Sequence, residues 1–135
     1  MLGLKAEVQA QTGQSAAALE AVTEGLAVAQ ATGERYYEPE LHRLRGELLL
    51  GQGDRVAAEA SFGCALEVAR RQQAKSWELR AALSLSHLYH QQGKIAAARP
   101  LLAGVYGWFT EGYQSADLQE AKAFLDSLPS PESNP

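Results

Sequence analysis

The sequence predicts an all-α chain built by repetition, and three observations carry that expectation. Glycines Gly13, Gly53 and Gly93 stand 40 residues apart, each followed by a polar residue (Gln14, Asp54, Lys94). The neighbouring positions keep the same step: Ala18, Ala58 and Ala98; Val22, Phe62 and Leu102; Val8, Leu48, Leu88 and Leu128. Alanine, leucine, glutamate, glutamine and arginine dominate, and the short β-branched runs that strands prefer are missing, so the segments between turn signals read as helices and no strand is expected. A fixed period of this order marks a solenoid, whose units stack because none buries its apolar face alone.

Taken in order, about seven helices are expected. Residues 2–11 form the first and stop at Thr12-Gly13; residues 15–31 form the second and stop at Thr32-Gly33, where glycine takes the left-handed cap conformation. The third starts near Arg35, with Pro39 in its first turn, where a missing N–H costs little, and ends at Gly51-Gln52-Gly53. Asp54 is the natural N-cap of the fourth, which runs to about Gln73. The fifth covers residues 75–91 and the sixth 95–110, with Pro100 inside it forcing either a kink or a late start. Ser115 caps a seventh that ends at Leu128, and residues 129–135, which have no apolar anchor, are expected to be disordered.

This layout makes residues 1–128 one repeat domain: a partial unit 1–33, full units 34–73 and 74–113, and a closing helix 115–128. Leu2, Leu4 and Val8 would pack on a preceding hairpin, so the chain reads as the end of a longer protein with an open N-terminal edge. A homodimer through that edge stays open as an alternative.

Composition narrows the partners. A net charge of −4 over 135 residues supplies no basic stripe to neutralise phosphates, so neither nucleic acid nor an anionic membrane is expected. No apolar run approaches the roughly 18 residues that cross a bilayer. The single cysteine, Cys64, excludes an intrachain disulfide and reads as a small buried helix residue. Tyr106, Trp108, Phe109 and Tyr113 cluster near the end of the sixth helix, and Gly104 and Gly107 beside them suggest that another helix crosses closely there.

Aligned on its glycine, the second unit carries small residues at Gly46, Ala58 and Ala65 and large apolar ones at Leu49 and Phe62; the third carries Ser86, Ala98 and Val105 with Tyr89 and Leu102. This resembles the tetratricopeptide repeat, in which small residues let antiparallel helices approach and the large ones fill the space between hairpins. The resemblance implies a superhelix of antiparallel helical hairpins with a 40-residue period in place of the usual ~34, and therefore longer hairpins. The strings Glu40-Leu41-His42-Arg43-Leu44-Arg45-Gly46-Glu47 and Ala69-Arg70-Arg71-Gln72-Gln73-Ala74-Lys75-Ser76 look similar to the C-terminal repeat region of bacterial signalling proteins that carry a nucleotide cyclase domain and a predicted ATPase domain. That implies a bacterial, cytoplasmic regulatory module. It carries over no catalysis, since those activities belong to other domains, and no enzyme is expected.

In such a superhelix the first helix of each hairpin lines a concave groove. The resemblance assigns to it Glu40, Arg43 and Glu47 from unit two and Arg80, Leu83, His87, His90 and Gln91 from unit three, with Glu120 extending the row. The alternative for this face is a solvated surface with intrahelical pairs, Glu40 with Arg43 and Arg43 with Glu47, and exchanging Arg43 and Arg80 for glutamate is expected to weaken binding while leaving stability nearly unchanged. The family's carboxylate clamp is missing: Arg43 and Glu47, then Leu83 and His87, occupy its positions. His87 and His90 share a helical face, and His42 is the third imidazole, yet no carboxylate accompanies them at helical spacing, so no metal or other cofactor is expected. The expected work is binding of a protein or peptide, including upstream domains of the parent chain; the alternatives are a small-molecule sensor and an oligomerisation module.

Overall fold

The computed structural model describes the backbone of residues 2–33, 35–110 and 115–128, and the side chains of these from residue 16 onward. Among the described residues it is all-helical, with α1 (Leu2–Thr32), α2 (Glu38–Gly51), α3 (Arg55–Arg71), α4 (Lys75–Gln91), α5 (Ile95–Tyr106) and α6 (Ala116–Ser127). Each helix packs on the next in sequence, and α4 also touches both α2 and α6 directly, whereas α1, α3 and α5 do not touch one another. The helices therefore form two layers, with α2, α4 and α6 side by side in the tighter one.

The turns between α2 and α5 are one device used three times. After α2, the Gly53 N–H reaches the Leu50 carbonyl at 2.9 Å and the Asp54 N–H the Leu49 carbonyl at 2.9 Å. Gln73 and Ala74 make the corresponding bonds to Arg70 and Ala69, and Gly93 and Lys94 to His90 and Tyr89. This is the Schellman arrangement, which satisfies the last carbonyls of a helix and needs a left-handed residue just past its end. Gly53 (φ 86°), Gln73 (φ 57°) and Gly93 (φ 78°) supply it. The structural step is thus half the sequence step, and the middle turn escapes the glycine pattern because a glutamine occupies the left-handed position. Side-chain caps follow at Asp54, which accepts from the Ala57 N–H, and at Ser115, which accepts from the Leu118 N–H.

The core lies between the layers. Phe62, Leu88 and Leu102 are its largest fully buried side chains, with Ala58, Ala65, Ala98 and Ala121 as small contacts around them. Gly46 is where close approach is decided, because a Cβ there would stand 2.5 Å from the Phe62 ring. Gly104 has nothing within 4 Å of such a Cβ, so the close crossing expected beside it is absent. The aromatic cluster divides: Tyr106 and Phe109 pack against the core, Trp108 is exposed, and Tyr113 lies outside the described residues. Cys64 is exposed, contrary to expectation, since Phe62, Ala65 and Leu66 turn the other side of α3 inward. Pro100 sits within α5, which begins at Ile95 without a late start. The expected tail 129–135 lies outside the described residues.

The main correction concerns the first unit. Residues 2–32 form one helix, about 46 Å long, instead of two helices broken at Thr12-Gly13, so the described residues hold six helices and not seven. Glycine permits a turn without compelling one; inside a helix it costs only about 1 kcal/mol relative to alanine. The buried side chains Val22, Leu26 and Ala29 belong to the C-terminal half of α1, which packs on α2. Val28 is 59% exposed, although its counterpart one unit later, Val68, is 7% exposed.

Candidate functional site

Helical spacing places Glu40, Arg43 and Glu47 on one face of α2, and Arg80, Leu83, Ser84 and His87 on one face of α4. Because α2, α4 and α6 are neighbours, these faces and the start of α6 enclose a cleft of about 240 Å³ lined by Arg43, Glu47, Arg80, Leu83, Ser84, His87, Asp117 and Glu120. Six of the residues assigned from the sequence, Arg43, Glu47, Arg80, Leu83, His87 and Glu120, thus line it, and Glu40 lies beside them, bonded to Arg43 and Arg80. Two are not at it: His90 lies beyond it, its ring 5.7 Å from that of Phe124, and Gln91 is an exposed residue at the end of α4.

Bonds between helices hold the cleft. Arg43 donates to both oxygens of Glu40, Nε at 2.9 Å and Nη2 at 2.6 Å. Arg80 donates from Nη1 to Glu40 at 2.9 Å and from Nε to Asp117 at 3.0 Å, joining α2, α4 and α6 through one guanidinium. The Ser84 hydroxyl donates to Glu47 at 2.9 Å, and His87 Nε2 meets Glu120 at 3.1 Å. Hydrogen bonding to Asp117 raises the pKa of Arg80 above its ordinary value, as bonding to Glu40 does for Arg43. The intrahelical pairs of Arg43 form, with Glu40 and, at 3.7 Å, with Glu47, but Arg80 bonds to both neighbouring helices, so the expectation that exchanging both leaves stability nearly unchanged is withdrawn.

Asp117 and Ser84 escaped sequence reasoning. Asp117 aligns with Trp77 in the 40-residue register, so the repeat gives no reason to expect a carboxylate there; the available signal is an acid in the first turn of a helix, where the backbone dipole favours it. Leu83 is 5% exposed and forms the cleft floor more than its surface.

Beside the cleft lies a cluster of rings. Tyr36 and Tyr37, each with its ring centroid 6.0 Å from that of Trp77, are 65% and 63% exposed. The Arg80 guanidinium stands 5.7 Å from the Trp77 ring centre, which connects the aromatic cluster to the charged one.

His42 lies elsewhere, 3.7 Å from the buried Glu38 carboxylate; burial lowers its pKa despite that neighbour. Among the described residues no group of three or more histidine, cysteine or carboxylate side chains is placed to hold a metal ion, and no helix is long and apolar enough to cross a membrane. The chain matches no protein-family model, no curated protein and no solved structure.

Proposed function

We propose that the chain is a tetratricopeptide-like binding module that holds a protein segment, from a partner or from upstream domains of a bacterial signalling protein, in the concave cleft across α2, α4 and α6. The observation that carries this reading is the cross-helix network of Arg80, Glu40 and Asp117. It orders the cleft before anything binds, and a preformed surface loses less entropy when a flexible segment docks. A small-molecule sensor is less well supported, since the cleft is about 240 Å³ and mostly charged, against the ~300–1,000 Å³ apolar pockets typical of such ligands.

The test is selection of a random twelve-residue peptide library on the chain, followed by His87→Trp, which fills the cleft from a position with a 43% exposed side chain. Selected peptides are expected to lose at least tenfold in affinity while the helical circular dichroism stays unchanged. Peptides that bind this variant equally well contradict the cleft assignment.

A second reading, association of two copies through α1, is favoured by the exposure of Val28 where Val68 is buried. Light scattering then shows a concentration-dependent dimer that Val28→Glu dissociates; a monomer throughout removes the idea.

A further inference from the structure

We infer that the segment held in this cleft is cationic, an extended stretch carrying lysine or arginine; this rests on the reading that the cleft binds protein. Four carboxylates, Glu40, Glu47, Asp117 and Glu120, meet two guanidinium groups there. Both guanidinium groups are already engaged, Arg43 on Glu40 and, at 3.7 Å, on Glu47, and Arg80 on Glu40 and Asp117. The surplus is therefore negative, and it is accessible: Glu47 and Glu120 have side chains 46% and 56% exposed. Glu47 accepts from the Ser84 hydroxyl with Arg43 3.7 Å away, and Glu120 meets a histidine ring, so each keeps lone pairs for a further donor. An incoming guanidinium matches the carboxylate geometry with two parallel bonds.

The ring cluster points the same way by an independent route. Tyr36 and Tyr37 present exposed rings one step from the cleft, and aromatic faces attract cations through their quadrupole. This surface already uses the contact internally: the Arg80 guanidinium stands 5.7 Å from the ring centre of Trp77. A cationic side chain leaving the carboxylates along the segment would meet a tyrosine next. An acidic segment meets net repulsion instead, and an apolar one finds no floor beyond the buried Leu83.

The experiment reads the composition of the twelve-residue peptides selected on the chain, then their affinities in low and high salt. The expected result is enrichment in lysine and arginine, a tenfold or greater loss between 50 mM and 500 mM salt, and a similar loss with the Glu47→Gln, Glu120→Gln pair. Tyr36→Ala with Tyr37→Ala lowers affinity about threefold or more without altering helicity. Neutral or acidic peptides that still lose affinity on His87→Trp overturn the cationic inference alone. Peptides insensitive to His87→Trp, or the absence of any binder, overturn the inference and the cleft assignment together.

Discussion

Glu40 and Arg80 stand one 40-residue unit apart, at the same place in successive units, and their side chains meet at 2.9 Å. The next residue in this register is Glu120, so the equivalent positions read negative, positive, negative. Identical units would set like charges beside one another; alternation turns the same stacking into attraction. Arg80 completes the sequence by reaching Asp117 at 3.0 Å, three residues before Glu120. The side chains of Arg80 and Glu40 are 41% and 15% exposed, which keeps the pair screened and modest. A double-mutant cycle with Glu40→Gln and Arg80→Gln is expected to give a coupling of about 0.5–1 kcal/mol that shrinks in high salt. A coupling indistinguishable from zero in low salt would show that the bridge does not hold the units together.

The Phe62 ring of α3 packs directly against Gly46 of α2. Phe62→Ala should lower stability by about 3–5 kcal/mol, the loss typical of emptying a fully buried aromatic site. Gly46→Ala drives a methyl into the ring and is expected to cost about 1–3 kcal/mol despite the better helix propensity of alanine. Combining it with Phe62→Leu should remove most of that loss. Chemical denaturation of the four proteins checks the pattern, and strictly additive effects would contradict the contact.

The three repeated turns allow a test with opposite signs. Gln73 holds a left-handed backbone at φ 57°, where a side chain costs about 1–2 kcal/mol, so Gln73→Gly is expected to raise stability by about 0.5–1 kcal/mol after the extra freedom of glycine in the unfolded chain is counted. Gly53→Ala at φ 86° should lower it by about 1 kcal/mol, although nothing lies within 4 Å of the added methyl. Equal effects on thermal melting would mean that these turns do not depend on the left-handed residue.

His42 makes stability depend on pH. Burial holds its folded-state pKa below the ordinary 6.5, more strongly than Glu38 raises it. The neutral ring is therefore favoured in the folded state, and its stabilising contribution is present above the unfolded value and declines as pH falls from about 6.5 through the folded pKa. His42→Gln should flatten this part of the stability profile, measured by urea denaturation across pH 5 to 8. An unchanged slope would assign the titration to another group.

Helix identity was legible because alanine-rich segments, prolines and capping residues report local backbone preference directly; Pro39, Asp54 and Ser115 all stand at helix starts, as expected. Gly13 was not legible, since glycine tolerates a helix interior and a turn alike. At Gln73 the helix break was read in place but its left-handed backbone was not, since glutamine is a poor left-handed residue, held there by the hydrogen bonds of Gln73 and Ala74. In the cleft, the repeat resemblance implied which side of α2 and α4 lines it, but the 40-residue register ran past Asp117, whose relation to Arg80 depends on how α6 docks. The charge balance likewise required knowing that Arg80 is engaged across helices, which distances show; the pairs of Arg43 with Glu40 and Glu47 were legible from their spacing along α2.

The most direct test of the central claim places a nitroxide on the chain and reads a bound library-selected peptide by NMR, with Cys64→Ser as background. A label at Glu120→Cys, beside the cleft, should broaden the peptide signals strongly, and one at Ala60→Cys, on the exposed side of α3, should leave them nearly unchanged. Strong broadening from residue 60 with none from residue 120 would contradict binding in the cleft across α2, α4 and α6.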